Sequence, residues 1–296
     1  MSANDQEPRP GNGDLDTKMA YSARVNNYWH GGKDNFAKDR EAAEQALEAF
    51  PELPVAVRAG VRFRTAAVTM LVRGDDPPRP PREGMVRGDD PPSEGMVQEA
   101  GLRQFLDLGT GLPAGDPIHR IAQALAPDSR VVYVDNDPMV ISHARALFPS
   151  GPEGACGYVH GDVRDIDAVL AGAGQTLDFT RPVAVFLSSL LHLIPDSDDP
   201  YGIVRRAMAA VASGSHLVIV HPASDIRPEA STDMAARLNQ LVAQKRTYRS
   251  QGEVTAFFDG LRLVPPGVVP VPQWRPDSDM AAQAPTMAWC AVARKP

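Results

Sequence analysis

Three acidic residues lie at the ends of consecutive apolar segments, an arrangement that could build a nucleotide-binding site. Asp107 occurs in RQFLDLGTG, Asp135 ends RVVYVD, and Asp162 follows GYVHG. Gly109 and Gly111 follow the first segment, where glycine permits a tight turn and a close approach of a ligand to the backbone. A single such acid is more often a loop or cap residue. It is therefore the ordered set of three that indicates a site.

Each acid suits a different group of one adenosine-containing ligand. Asp107, two residues before the first glycine, would lie near the ligand and suits a cationic amino group, whereas it would repel a pyrophosphate. Asp135 could accept hydrogen bonds from the two hydroxyls of a ribose, and Asp162 could accept one from an adenine amino group. The three positions together favour an adenosine that carries an amino group.

A dinucleotide site is the alternative, because the same glycine loop with Ala114 also matches the pattern G-x-G-x-x-A. Asp135 does not discriminate, since nicotinamide sites have an acid at the same place. Asp107 disfavours a pyrophosphate, and a Tyr-x-x-x-Lys motif is missing: Lys245 and Tyr248 stand in the reverse order. An NAD(P)-dependent oxidoreductase is therefore the less favoured function.

The elements that would position these acids alternate between strand and helix. Short runs rich in Val and Leu are typical of parallel strands buried on both faces; they are RQFLDL, RVVYVD, CGYVH, PVAVFL and HLVIV. Asp-Pro pairs at 116–117, 137–138 and 199–200 predict helix starts, since Asp caps free N–H groups and Pro suits the first turn. Ser250 and Glu253 predict a capping box. Two strand-like runs, 261–271 and 286–293, end the chain, and the whole predicts an α/β fold.

Composition divides the chain into four parts. Residues 1–16 are polar and predict a disordered tail, and 17–72 predict a helical cap or lid. Residues 73–97 repeat VRGDDPP and EGMV and are rich in Pro and Gly. We predict a disordered surface insertion there, with a partner-binding or lid loop as the alternative. Residues 98–296 predict the α/β domain.

Charge and residue usage exclude several functions. The net charge of −7 and the lack of a long basic run disfavour nucleic-acid binding. The longest apolar run, about 183–194, is shorter than the roughly 20 residues of a membrane span, and the N-terminus resembles no secretory signal. Two cysteines and scattered histidines without HExxH or CxxC spacing predict neither disulfides nor a metal site. We expect a cytoplasmic protein without membrane contact.

The motifs also resemble a known family. FLDLGTG, VVYVDNDP and GDVRD resemble the first three motifs of class I S-adenosylmethionine-dependent methyltransferases. The segments at 23–44, 103–113, 181–200 and 257–277 resemble one subgroup, the actinobacterial S-adenosyl methyltransferase family, with GGKDNF and FLDLGTGLP as its most specific motifs. The resemblance covers most of 19–296 apart from the insertion. Pro113 stands where methyltransferases usually have a third glycine, which resembles the pattern of this subgroup, whereas the run AGDPIHR after it departs from the expected TxxNxH-like run.

The resemblance implies a Rossmann-like, seven-stranded class I methyltransferase sheet with helices on both faces and an N-terminal helical extension. It implies S-adenosylmethionine as cofactor and methyl transfer to an acceptor, which we expect to be a small molecule. A cofactor-binding sensor or scaffold without catalysis would carry the same motifs and is the alternative.

Residues just after the fourth strand face the transferred methyl group in this fold. Here they are residues 188–192, and His192 is predicted to act as a base or to orient the acceptor. A structural histidine with a bonded ring nitrogen is the alternative.

The GGKDNF segment at 31–36 is the second candidate, predicted as a lid on the cofactor. Lys33 could meet the methionine carboxylate, and Tyr28 and Asn35 could close over the cofactor. The alternative is a connector between two helices, in which Gly32 ends the first helix and Asp34 caps the second. The predicted catalytic residues are thus His192 and Tyr28, and the predicted cofactor-binding residues are Lys33, Asn35, Asp107, Gly109, Thr110, Gly111, Asp135, Asn136, Asp162, Val163 and Ser188.

Overall fold

The computed structural model describes residues 17–74 and 101–296. The predicted tail, 1–16, lies outside the described residues, and so does almost all of the predicted insertion at 73–97. Within the described part, no helix combines the length and the apolar character that crossing a membrane requires.

A central sheet organises the fold. Its strands are β1 (Gln104–Leu108), β2 (Arg130–Asp135), β3 (Ala155–His160), β4 (Ala184–Ser188), β5 (His216–Pro222), β6 (Arg262–Leu263), β7 (Val269–Pro270) and β8 (Ala288–Arg294). They lie in the order β3-β2-β1-β4-β5-β8-β6, with β7 also paired to β8. The first five strands are parallel, and β8 is antiparallel to β5.

The predicted class I methyltransferase sheet is confirmed, with one difference in its last strands. The predicted strand at 261–271 forms two strands of two residues each, β6 and β7, which pair with β8. Pro265 and Pro266 lie between them, and proline cannot donate a hydrogen bond to a neighbouring strand. The sheet therefore has seven positions and eight strands.

Helices cover both faces of the sheet and extend to its N-terminal side. They are α1 (Ser22–Trp29), α2 (Ala37–Ala49), α3 (Leu53–Arg73), α4 (Ile118–Leu125), α5 (Pro138–Leu147), α6 (Ile166–Ala173), α7 (Pro200–Ala210), α8 (Pro228–Leu241), α9 (Gln251–Ala256) and α10 (Asp279–Ala282). The N-terminal helices pack onto the α/β part: α2 lies against α8, and α3 lies against α4.

The predicted helix starts agree with the structure at three of four places. The Asp137 carboxylate accepts from Met139 N at 2.9 Å, and Asp199 accepts from Gly202 N at 2.8 Å. The predicted capping box before α9 also forms. The prediction at Asp116 is wrong: the residue that precedes α4 is Pro117, in extended conformation, and no side chain caps this helix.

Candidate functional site

A cavity of about 240 Å³ opens at the carboxyl ends of the parallel strands. Strand order reverses at β1, whose neighbours are β2 and β4, and ligands of open α/β sheets bind at such a point. Helices α1 and α3 cover the cavity from the N-terminal side. Ten of the predicted residues line it: Asp107, Gly109, Thr110, Gly111, Asp135, Asn136, Asp162, Val163, Ser188 and His192.

The loop after β1 has a backbone that glycine alone adopts readily. Gly109 and Gly111 have φ angles of 73° and 66°, in the left-handed region that disfavours side chains. A Cβ on Gly109 would lie 2.7 Å from the Leu190 side chain, so this glycine also allows close packing. A Cβ on Gly111 would meet nothing within 4 Å. The backbone at Gly111 is therefore open to the cavity.

Asp135 holds this loop in place. Its carboxylate accepts from Gly111 N and from Asp137 N, each at 2.9 Å. Burial raises the pKa of Asp135, and these backbone N–H groups oppose the rise. An ionised carboxylate has about four acceptor sites, so Asp135 can bind the loop and still accept from a ligand hydroxyl.

Asp107 is a buried acid without a cationic partner among the described residues. It is 5% exposed, and no basic nitrogen of the described residues lies within 4.0 Å of its carboxylate. Burial raises the pKa of Asp107 to about 6, although the charge of Arg64 opposes the rise. Its carboxylate therefore lies in a cavity wall where a cation from outside the chain would stabilise it.

Asp162 lies at the exposed edge of the cavity. Its carboxylate accepts from Arg164 N at 2.9 Å, from the Arg164 guanidinium at 3.1 Å and from Asn136 Nδ2 at 3.3 Å. Arg164 also pairs with Asp198 at 2.7 Å. This network holds Asn136, after β2, beside Asp162, after β3.

His192 lies in the cavity wall, in a short 3-10 helix (Leu191–Leu193) after β4. It is 4% exposed, and neither ring nitrogen has a hydrogen-bond partner among the described residues. Burial, with the nearby charge of Arg246, holds the pKa of His192 well below its usual value. The buried Ser188 hydroxyl also has no hydrogen-bond partner in the described part of the chain. This wall thus offers a neutral imidazole and a hydroxyl.

Three predicted residues lie outside the cavity. Tyr28 donates its hydroxyl to Glu44 at 3.1 Å, Lys33 is exposed, and Asn35 donates to Asn27 Oδ1 at 2.9 Å. None of the three lines the cavity. Their predicted cofactor contacts are therefore not supported by their positions.

The connector alternative describes this segment better, although with other residues than predicted. Gly31, with a φ of 78°, follows α1. The acid at the start of α2 is Asp39, which accepts from Phe36 N at 2.8 Å and from Tyr21 N at 2.9 Å. The prediction that Asp34 caps this helix is wrong. Its carboxylate instead lies 3.7 Å from His143.

The cavity also includes residues that no motif indicated. The face of α1 that contains Ser22, Asn26 and Trp29 lines it, and so do Arg64 from α3 and Arg246. Positions 22, 26 and 29 follow helical spacing, so the sequence could have predicted that they share one face of a helix. It could not have predicted that this face covers the cavity. The two arginines have no local signature, because their roles depend on distant parts of the chain.

Metal binding has no support in the described part of the chain. There, no three His, Cys, Asp or Glu side chains come together in a way that could hold a metal ion.

Comparison with known proteins agrees with this geometry. A family model described as S-adenosyl methyltransferase matches residues 8–75 and 93–296, and so leaves out 76–92. A DUF574-family protein from Streptomyces avermitilis has 37% identity over 95% of this chain and 99% of its own, with a TM-score of 0.82. A candidate methyltransferase from Thermobifida fusca has 31% identity over 94% and 96%, with a TM-score of 0.77.

A more distant structure shares the fold alone. The plantazolicin methyltransferase BpumL has 11% identity over 92% of this chain and 94% of its own, with a TM-score of 0.51. No protein with a curated description matches this chain significantly in sequence.

Proposed function

Because this chain belongs to the S-adenosyl methyltransferase family, and is thus a methyltransferase that uses S-adenosylmethionine, we propose that its central cavity holds the cofactor and that the acceptor is a small molecule. The bound cofactor supplies an electrophilic methyl group on a sulfonium. The residues of the chain bind it, align the acceptor and exclude water.

The observation that carries the cofactor assignment is the buried carboxylate of Asp107. It lies beside the open backbone of the glycine loop and has no cation of its own within 4.0 Å among the described residues. The ammonium group of the cofactor's methionine part is a cation of suitable size. A pyrophosphate at the same place would add negative charge to a buried acid, which is unfavourable.

Asp135, Asp162 and Asn136 would bind the adenosine part. Asp135 is already oriented by the two backbone N–H groups and would accept from the ribose hydroxyls. Asp162 and Asn136, joined at 3.3 Å, would meet the polar edge of adenine, and Val163, which is buried beside them, would meet its flat face.

Arg64 is a better partner for the methionine carboxylate than Lys33. It lines the cavity, and its charge acts on Asp107. One guanidinium nitrogen donates to the carbonyl oxygens of Ala114 and Asp116, and its buried Nε has no partner among the described residues. Asp107 and Arg64 would thus bind the two charged groups of one amino acid.

The acceptor would lie against Ser188 and His192. Because burial favours the neutral imidazole of His192 and neither nitrogen has a partner among the described residues, it can accept a hydrogen bond from an acceptor hydroxyl or amine. Burial makes this imidazole a weak base, so orientation of the acceptor is favoured over full removal of a proton. Its depth in the wall also favours a small acceptor over a macromolecule.

The experiment is a calorimetric titration with S-adenosylmethionine, S-adenosylhomocysteine and NADH. We expect the first two to bind, and Asp135→Ala to abolish their binding. Asp259→Ala is the control, since Asp259 is exposed and lies outside the cavity. Binding of NADH alone, or undiminished binding to the Asp135 variant, would refute the assignment.

A further inference from the structure

The described part of the chain buries three arginines, and they differ in their partners. Arg249 is 1% exposed and pairs with Asp196 at 2.6 Å. Arg24 is 1% exposed and lies 3.9 Å from Asp39. Arg246 is 8% exposed, and no carboxylate of the described residues lies within 4.0 Å of it. Within the described part of the chain, Arg246 is thus a buried cation without an anionic partner.

Among the described residues, the Arg246 guanidinium contacts neutral groups. Nη2 donates to Ser22 Oγ at 3.3 Å, and the Tyr248 side chain lies close enough to act on the pKa of Arg246. The guanidinium lies 5.7 Å from the centre of a Trp29 ring, and its buried Nε has no partner among the described residues. Burial lowers the pKa of Arg246. A buried charge of this kind is stabilised when a ligand brings an opposite charge.

Arg246 is on the acceptor side of the cavity. Its charge contributes to the low pKa of His192, in the short 3-10 helix that follows β4, whereas the cation that acts on Asp107 is Arg64. The two arginines therefore serve different ends of one cavity. Trp29, Met234 and Met287, all buried, line the same cavity with apolar surface.

We propose that Arg246 binds a carboxylate of the methyl acceptor, whose apolar body lies against Trp29, Met234 and Met287. The inference rests on the proposed function and adds a substrate class to it: a small carboxylic acid with an aromatic or branched aliphatic body. The carboxylate would accept hydrogen bonds from the guanidinium N–H groups that lack an acceptor among the described residues. The group to be methylated would then be held towards His192.

The test compares benzoate with benzamide on protein saturated with S-adenosylhomocysteine. The two probes have nearly the same shape and differ in charge. We expect calorimetry to show benzoate binding about tenfold or more tightly, since a charge-assisted hydrogen bond exceeds a neutral one by that order. Arg246→Met should remove this preference and leave the affinity for S-adenosylhomocysteine unchanged. Arg206→Met, which removes an exposed arginine of α7, should behave as the unmodified protein.

Several results would overturn the inference. They are the absence of benzoate binding to the unmodified protein, equal affinities for the two probes, and a preference that survives in Arg246→Met. Loss of S-adenosylhomocysteine binding in a folded Arg246→Met protein would instead assign this arginine to the cofactor carboxylate. Failure of the unmodified protein to bind S-adenosylhomocysteine would refute the proposed function itself. If the variant does not fold, the comparison of benzoate with benzamide on the unmodified protein still tests the proposal.

Discussion

Replacing Asp107 by asparagine should make the ligand-free protein more stable while weakening cofactor binding. The side chain is 5% exposed, and burial raises its pKa from 3.8 to about 6. The folded protein thus favours the protonated form more than the unfolded chain does. The stability linked to this group is fully present below pH 3.8 and is lost as the pH rises through about 6.

The magnitude follows from the difference between the two pKa values. A difference of about two units, at about 1.4 kcal/mol each, means that the ionised acid lowers the free energy of unfolding at pH 7 by about 3 kcal/mol. This value already includes the favourable charge of Arg64. A neutral amide of the same size avoids most of that cost, so Asp107→Asn should gain up to about 3 kcal/mol at pH 7. The gain should shrink as the pH falls towards 4.

The assay is urea unfolding of both proteins at pH 7 and pH 4.5, together with titration of S-adenosylhomocysteine at pH 7. We expect the variant to bind about 10- to 100-fold more weakly, because a hydrogen bond to a charged group is lost. Asp259→Asn, at an exposed position, should change neither quantity. A variant that is less stable at pH 7, or that keeps full affinity for S-adenosylhomocysteine, would refute the reasoning.

Four further predictions concern the same cavity and one helix. The affinity for S-adenosylhomocysteine should fall about tenfold per pH unit below about pH 6, as Asp107 becomes protonated; an affinity that is flat between pH 5 and pH 7 would contradict this. His192→Ala should slow methyl transfer to an acceptor found by mass spectrometry and leave cofactor affinity intact; a near-normal rate would exclude its role. Lys33→Ala should leave cofactor affinity unchanged in calorimetry, whereas Arg64→Met should weaken it; the reverse order would restore the lid prediction. Ser250→Ala should lower the free energy of unfolding by about 1 kcal/mol in urea, because the N-cap of α9 is lost, and an unchanged value would show that the capping box contributes little.

Much of the fold could be predicted because its signals are local. Short apolar runs separated by helix-start signals predict alternating strands and helices, and the three strand-end acids then meet because parallel strands end at one edge of the sheet. Asp107, Asp135 and Asp162 accordingly line one cavity. The helix starts show the limit of such signals. The backbone at Pro117 is extended with a ψ of 157°, and nothing in the pair Asp116-Pro117 distinguishes it from the two pairs that do cap.

The orientation of the N-terminal helices was decided by packing. The sequence of α1 has polar residues on more than one face, so the face that covers the cavity could not be read from it. In the structure Asn26 and Trp29 face the cavity, while Tyr28 points to Glu44 on α2. A rotation of the helix by less than half a turn would exchange these roles, and contacts with α2 and α3 determine that rotation.

The sequence by itself determined the alternation of strands and helices along the chain. It also determined the glycine loop and the acids at the ends of the first three strands. Tertiary structure alone decided which charges have partners. Arg246 and Arg249 are three residues apart, yet one pairs with Asp196 and the other faces neutral groups. Asp196 lies 53 residues from Arg249 in the sequence, and Ser22 lies 224 residues from Arg246. The physical reason is that a charge in the interior is defined by what packs against it, and no local pattern contains that information.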